Sequence, residues 1–124
     1  MTKKEFALNA IAPYFKDPSL CGIQNGTCLY LTKDDKMCVA GKYMLPEILK
    51  DSNKLGSICY IFLKYDFDQT KIFKPEVVDI LNATEWENLQ RIHDGIAEGV
   101  GLYFRIRDLD LFTMEELQEA SQKL

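Results

Sequence analysis

Hydrophobic residues recur at helical spacing in three parts of the chain, each time behind a pair of residues that can cap a helix. In each pair a Thr stands three positions before a Glu, the spacing of a capping box: Thr2 with Glu5, Thr84 with Glu87, and Thr113 with Glu116. The apolar stripes that follow predict helices over residues 3–15, from 84 to Gly95, and from 113 onward. A proline at the first position predicts two shorter helical segments, 46–50 and 75–81.

Between residues 27 and 40 the pattern is typical of strands. Residues 27–32 are rich in β-branched and aromatic side chains, 33–36 form a polar turn, and 37–40 return as a second apolar run. This order predicts an antiparallel hairpin with Cys28 on one arm and Cys38 on the other.

Two further segments also suggest strands. Residues 57–65 are apolar on both faces, which fits a buried strand or a buried helix, and their aromatic and β-branched content favours the strand. Residues 102–107 alternate between apolar and polar side chains. The chain as a whole therefore predicts an α+β fold: one compact domain over residues 1–124, with a small antiparallel sheet (the hairpin near 27–40) packed against four or five helices.

Composition excludes several classes of protein. The 124 residues are 47% hydrophobic and 27% charged, which is typical of a globular domain. A net charge of −4 argues against nucleic acid as the main partner. The first residues lack a secretory h-region, and the longest apolar run, 58–63, is too short to cross a membrane. We therefore expect a cytoplasmic protein, without a membrane partner, whose four cysteines are thiols and not disulfides.

The cysteines and the single histidine are the first candidates for chemistry. Cys28 and Cys38 on facing hairpin arms, with His93 approaching from a helix, would supply a partial zinc site whose side chains converge on one point. However, the chain has no C-x-x-C pair, and free cysteines are among the residues most often buried. We favour the second interpretation and expect no cofactor.

A thiol nucleophile is the other chemical hypothesis. Cys38 with His93 and Asp94 would provide the thiol, the base and a group to orient the base. Neighbouring helical residues point about 100° apart, which makes Asp94 a poor orienter of His93, and a histidine near a helix end has a capping role available. The chain also lacks a Walker loop, G-x-G-x-x-G, H-E-x-x-H and G-x-S-x-G. An enzyme is therefore disfavoured.

Three motifs in order give the chain a family resemblance. They are Cys28-x-Tyr30, Cys38-Val-Ala-Gly41 followed by Leu45-Pro46, and Leu89-Gln-Arg-Ile-His93-Asp94. The set resembles a family of small uncharacterised bacteriophage and prophage proteins with C-x-Y, C-A-[VI]-G, L-I-P and L-Q-x-x-H-D segments. The chain departs from that pattern in Val-Ala for Ala-Val, in the spacing before Leu45, and in Asp34-Asp35 where the turn usually has Asp-Gly. The resemblance implies a small accessory protein that works in the cytoplasm of an infected host.

Three functions follow as hypotheses. We favour a protein that binds a host protein and inhibits a defence system or another host activity, through aromatic side chains that would form the docking surface: Tyr60, Phe62, Phe67 and Phe73. The first alternative is a small metal- or thiol-dependent enzyme centred on Cys28, Cys38 and His93. The second is a protein that sequesters a nucleotide signal in a pocket lined by Arg105 and Arg107, two cations on one face of the predicted strand 102–107.

Overall fold

The chain is mostly helical. A computed structural model describes the backbone of residues 1–124 and every side chain except that of Thr27. The six helices are α1 (Lys3–Lys16), α2 (Pro46–Leu49), α3 (Ile58–Lys64), α4 (Ala83–Glu98), α5 (Leu102–Leu109) and α6 (Met114–Gln122). Two short strands, β1 (Ile23–Gln24) and β2 (Thr27–Cys28), pair in antiparallel fashion.

Helix α4 is the centre of the molecule. It packs against α1, α3 and α5, and α1 also packs against α6. On its inner face Trp86 stacks on Phe73 with ring centroids 4.5 Å apart, and Phe6 of α1 meets Trp86 edge-on at 5.6 Å. The buried residues form one continuous hydrophobic cluster around this aromatic group. No helix in the described part of the chain has the length and apolar character needed to cross a bilayer.

The predicted helix starts are confirmed at both ends of the chain. The Thr2 hydroxyl accepts a hydrogen bond from the Glu5 N–H, and Thr113 forms the complete capping box at α6. At α4 the prediction was wrong, because Asn82 and Glu85 form the box and Thr84 with Glu87 lies inside the helix. The segment 46–50 is confirmed as α2, whereas 75–81 contains only a single 3₁₀ turn.

Gly95 does not end α4 as predicted. The helix continues to Glu98 and ends at Gly99, whose φ of 74° is the left-handed conformation of a helix terminus. Gly95 is instead buried under Arg105 of α5: a Cβ at position 95 would lie 2.9 Å from Cδ of Arg105. Its role is to let α5 approach α4 closely.

The predicted strand at 57–65 is helix α3. The Ser57 hydroxyl accepts a hydrogen bond from the Tyr60 N–H at 3.3 Å and caps the helix. The buried side chains are spaced i, i+3 and i+4: Ile58, Ile61 and Phe62. The strand prediction was wrong because the outward-facing positions are apolar as well, which hides the helical period.

The predicted strand at 102–107 is also a helix, α5, in which Ile106 and Leu109 face the core. Arg105 lies back across α4, where its Nη1 donates to the carbonyl of Arg91 at 2.7 Å. The sequence alternation came from Arg105 and Arg107 on either side of Ile106; the aliphatic stem of Arg105 covers Gly95 while its charge reaches a carbonyl.

The predicted hairpin is reduced to fragments. The β1–β2 ladder holds two residue pairs, and only an isolated bridge between Leu31 and Met37 joins the two expected arms, 27–32 and 37–40. The α+β prediction is therefore wrong in its sheet, although its helices are present. The described residues form six helices and an irregular segment, residues 21–45, whose one regular pairing is the two-residue β1–β2 ladder.

Side chains from elsewhere in the chain satisfy the backbone of that irregular segment. Asn53 accepts from the Tyr30 N–H at 2.8 Å and donates to the Leu31 carbonyl at 2.7 Å. The Tyr14 hydroxyl donates to the Met37 carbonyl at 2.6 Å. These exposed and partly buried bonds give the segment backbone partners that a sheet ladder would otherwise supply.

Candidate functional site

A polar stripe on α4 lines a cleft of about 330 Å³. Glu87, Gln90 and Asp94 follow one another at i, i+3 and i+7, so they lie along one side of the helix. The opposite wall is residues 28–30, and residues 56–58 at the start of α3 complete the cleft with Asn53. Residues from all three sequence motifs lie in or directly behind this cleft.

The buried His93 connects α4 to the irregular segment. Its Nε2 lies 3.3 Å from the Gly22 N–H, and its Nδ1 lies 2.9 Å from Oδ1 of Asp94. A backbone N–H can only donate, so Nε2 is the acceptor and the proton of the neutral ring sits on Nδ1, which donates to Asp94. Both ring nitrogens are thereby occupied, and Tyr14 covers the ring edge-on at 4.9 Å.

Asp94 therefore does orient His93, contrary to the prediction. The two Cβ directions diverge, but the imidazole and the carboxylate extend far enough beyond Cβ to meet at the helix surface. Gln90 strengthens the pair by donating to Asp94 at 3.1 Å, while its own oxygen accepts from the Ala40 N–H at 3.2 Å. The three side chains form one unit, the α4 clasp (Gln90, His93 and Asp94), that holds backbone amides at positions 22 and 40.

Two glycines allow the clasp to close. A Cβ on Gly22 would lie 2.5 Å from the Leu29 carbonyl oxygen and 2.8 Å from the Cys38 nitrogen. A Cβ on Gly41 would collide with the Tyr30 carbonyl oxygen. Both positions need glycine for close backbone approach, not for an unusual φ.

Cys38 is not an activated nucleophile. Its side chain is fully buried and its Sγ accepts from the Gly41 N–H at 3.3 Å. Burial raises the pKa of the Cys38 thiol to about 12, although the neighbouring N–H groups of Gly41 and Ala40 act in the opposite direction. Since the two His93 nitrogens are bound to Gly22 and Asp94, the thiol–imidazole pair of the nucleophile hypothesis is not assembled.

The other cysteines are likewise held as thiols. Cys28 lines the cleft, and burial together with the charge of Asp94 raises its pKa to about 12. Burial also raises the pKa of Cys21, to about 11, and that of Cys59, where Glu87 adds to the effect. Since the thiolate is the reactive form, these surroundings oppose nucleophilic attack by the cysteines.

The proposed zinc ligands do not converge. Cys38 and His93 each have backbone partners, and Cys28 lies beside Asp94 on the cleft wall. Among the residues that the structure describes, no group of three His, Cys, Asp or Glu side chains is arranged to hold a metal ion.

The cleft carries uncompensated negative charge. Glu87 accepts from the Cys59 N–H at 3.1 Å, and Asp94 is bound within the clasp. Neither has a Lys or Arg nitrogen within 4.0 Å in the described part of the molecule, whereas Glu85, on the same helix, pairs with Lys3 at 2.8 Å. Glu87 and Gln90 were missed in the sequence, although their spacing to Asp94 was a readable signal.

The four predicted docking residues separate into two groups. Phe62 and Phe73 are buried core residues, so their prediction as docking residues was wrong. Tyr60 and Phe67 are exposed by 59% and 55%. Leu63, which was not predicted, joins them at 61% exposed. Tyr60, Leu63 and Phe67 form what we call the α3 surface.

The two arginines of the nucleotide hypothesis also separate. Arg105 is half-buried against α4, where its guanidinium reaches the Arg91 carbonyl and approaches Glu98 at 4.0 Å. Arg107 stacks on the Phe104 ring at 5.0 Å. Two residues apart on a helix, they point in different directions and do not line one pocket.

The chain was compared with protein-family models, curated proteins and solved structures. No protein-family model matches the chain, and no match was found among curated proteins or solved structures. The resemblance to the bacteriophage family stays a prediction.

Proposed function

We propose that the protein acts by binding a host protein through the α3 surface, as a phage-type accessory protein that inhibits a defence system or another host activity. The observation that carries the proposal is the exposure of three large apolar side chains, two on α3 and one just beyond its end. Tyr60 and Leu63 are three residues apart and lie on one side of the helix, and Phe67 is exposed just beyond its last residue, Lys64.

Exposed side chains of this kind favour a protein partner. Tyrosine, phenylalanine and leucine gain about 25 cal/mol for each Å² of apolar surface that a partner removes from water. Aromatic residues that are largely exposed before binding and buried afterwards are typical anchors of protein interfaces. The α3 surface lies on the side of a helix and is not a cavity, which suits another protein better than a small molecule.

The backbone at Phe67 is a second support. Helix α3 ends in a Schellman arrangement in which the Asp66 N–H donates to Leu63 at 3.2 Å and the Phe67 N–H donates to Phe62 at 2.8 Å. Asp66 has a φ of 54° and Phe67 a φ of 59°. A bulky aromatic residue in the left-handed region is uncommon and costs free energy. In this conformation the Phe67 side chain is largely exposed, and its ring also contacts the buried Phe62, with ring centroids 6.0 Å apart.

A matched pair of variants tests the proposal in a bacterial host lysate. The test variant changes Tyr60, Leu63 and Phe67 to Ser. The control changes Tyr103 and Phe104 to Ser, two aromatic residues of α5 that are exposed to a similar extent (65% and 58%). Both variants should retain the wild-type circular dichroism spectrum, because all five side chains lie outside the core.

The expected result is one host protein that co-purifies near one-to-one with the wild type and the α5 control and is lost from the α3 variant. Equal retention by both variants would refute the α3 surface as the docking site, and so would loss from both. A wild-type protein that retains nothing at stoichiometric level would refute the proposal for that host.

A further inference from the structure

We infer that the α4 cleft receives a cationic side chain, a Lys or an Arg, from the protein that docks on the α3 surface. The inference rests on the proposed function and names the chemistry that the partner must carry. It is argued from the volume and walls of the cleft, from its charge, and from its continuity with the α3 surface.

The cleft has the size and walls for one long cationic side chain. Its volume of about 330 Å³ exceeds that of an arginine or lysine side chain. Tyr30 and Ile58 provide apolar walls against which the methylene groups of the stem can pack. The Tyr30 hydroxyl donates to the Gly56 carbonyl at 2.8 Å, which ties the loop wall to the start of α3 and keeps the cleft open.

The charge of the cleft selects a cation. Glu87 uses Oε2 to accept from the Cys59 N–H, and Asp94 uses Oδ1 to accept from His93 and Gln90. The cysteines near the two carboxylates, Cys59 near Glu87 and Cys28 near Asp94, carry no positive charge and are at most weak donors. With no Lys or Arg within 4.0 Å among the described residues, both negative charges stay available for a charge-assisted hydrogen bond from a ligand.

The position of the cleft makes a protein side chain the source of that cation. Ser57 and Ile58 line the cleft and also begin α3, and the Tyr60 N–H donates to the Ser57 hydroxyl. Tyr60 therefore stands one helical turn from the cleft mouth. A partner that covers Tyr60 extends its surface over the mouth, where an inserted Lys or Arg meets complementary charge.

Amino-acid probes test the cleft without the partner. N-acetyl-arginine methylamide and N-acetyl-lysine methylamide are titrated into ¹⁵N-labelled protein, with N-acetyl-citrulline methylamide as the neutral isostere of the arginine probe. Amide shifts are followed by NMR. The expected result is a saturable response at residues 28–30, 56–58 and 87–94 to at least one cationic probe, and roughly ten-fold weaker binding of citrulline because a charge-assisted contact is lost.

Glu87→Gln is the test variant, because its amide oxygen can still accept from the Cys59 N–H while the charge is removed. Glu119→Gln on α6, an exposed residue outside the cleft, is the matched control. We expect roughly ten-fold weaker probe binding in the first and no change in the second. Thermal melting of both variants verifies that each is folded.

Three results would overturn the inference: equal binding of the citrulline probe, shifts spread over the acidic residues of α6, or no saturable response to either cationic probe. None of these affects the lysate experiment on the α3 surface. Conversely, a cleft that binds the arginine probe in a protein that retains no host partner would leave the cation site standing and refute the docking function.

Discussion

The helical part of the molecule and the irregular segment 21–45 differ in how far along the chain their backbone groups find partners. In α1, α4 and α6 each peptide bonds to a neighbour in sequence, and only the ends need side chains such as Thr2 and Thr113. The irregular segment has short-range turns and the two-residue ladder, and remote side chains supply further partners, as when His93 accepts from the Gly22 N–H across 71 positions. The difference teaches that local rules decide the first region and that single side chains far along the chain decide the second.

The largest expected effect comes from removing the centre of the clasp. His93→Ala leaves the Gly22 N–H without its side-chain acceptor, removes one of the two donors to Asp94 and opens a cavity beside Tyr14. We expect a loss of about 3–5 kcal/mol in the free energy of unfolding, measured by urea denaturation. Glu119→Ala in α6 is the control and should change stability by less than about 0.5 kcal/mol. A loss below about 1 kcal/mol for His93→Ala would show that the irregular segment does not depend on the clasp.

Two glycine substitutions sharpen the same comparison. Gly41→Ala pushes a methyl group into the Tyr30 carbonyl, and backbone cannot move aside, so we expect a loss of about 3 kcal/mol. Gly26→Ala meets no atom within 4 Å, but its φ of 77° costs about 1 kcal/mol for a residue with a side chain. Thermal and urea unfolding should rank the two in this order. The reverse order would mean that backbone conformation, not close approach, limits the segment.

High pH should lower the free energy of unfolding through the buried Cys38 thiol. The folded-state pKa of Cys38 is raised above its ordinary value of 9.0 to about 12, so folding favours the protonated thiol. The stabilisation is present below pH 9 and is lost as pH rises from 9 towards 12, at about 1.4 kcal/mol per pH unit for one thiol.

Cys38→Ala tests this pH dependence. The variant should be less stable than the wild type at pH 7 because a small cavity forms, but its stability should fall less steeply between pH 9 and pH 10.5. Urea unfolding at several pH values measures both slopes. Identical slopes would mean that ionisation of Cys38 does not cause the loss of stability at high pH.

The smallest effect concerns the end of α3, where local rules apply again. Asp66 has a φ of 54°, so Asp66→Gly should raise the free energy of unfolding by about 0.5–1 kcal/mol. Asp66→Ala, which cannot adopt this conformation as easily, should lower it by a similar amount. If both variants are destabilised, the Asp66 side chain has a role that the helix terminus does not explain.

These contrasts also explain how far the sequence could predict the fold. Capping residues and helical spacing located α1 and α6 and most of α4, because those signals act within a few residues. The helix α3 was mistaken for a strand because Tyr60 and Leu63 place apolar side chains on its outer side. The exposed apolar side chains that made the strand prediction wrong are also the ones that suggest a docking surface.

The site was only partly predictable for a related reason. The sequence singled out three residues of the site: His93, Asp94 and Cys28. Their roles depend on which groups approach them in the fold, and the periodicity of the sequence does not show this. A hairpin was expected from residues 27–40 because strand propensity was high. In the structure, hydrogen bonds from Asn53 and the α4 clasp take the place of a strand ladder. They join residues that are 22 to 71 positions apart in the sequence.

The bond between Gly22 and His93 also has a consequence for synthesis on the ribosome. The chain emerges from its N-terminus, so residues 21–45 leave the ribosome well before α4 can hold them. At 5–20 residues per second, the 71 positions between donor and acceptor take roughly 4–14 s to translate. During that interval the apolar run around Cys38 can pack only against α1, whose Tyr14 reaches the Met37 carbonyl, and it is completed only when α4 arrives.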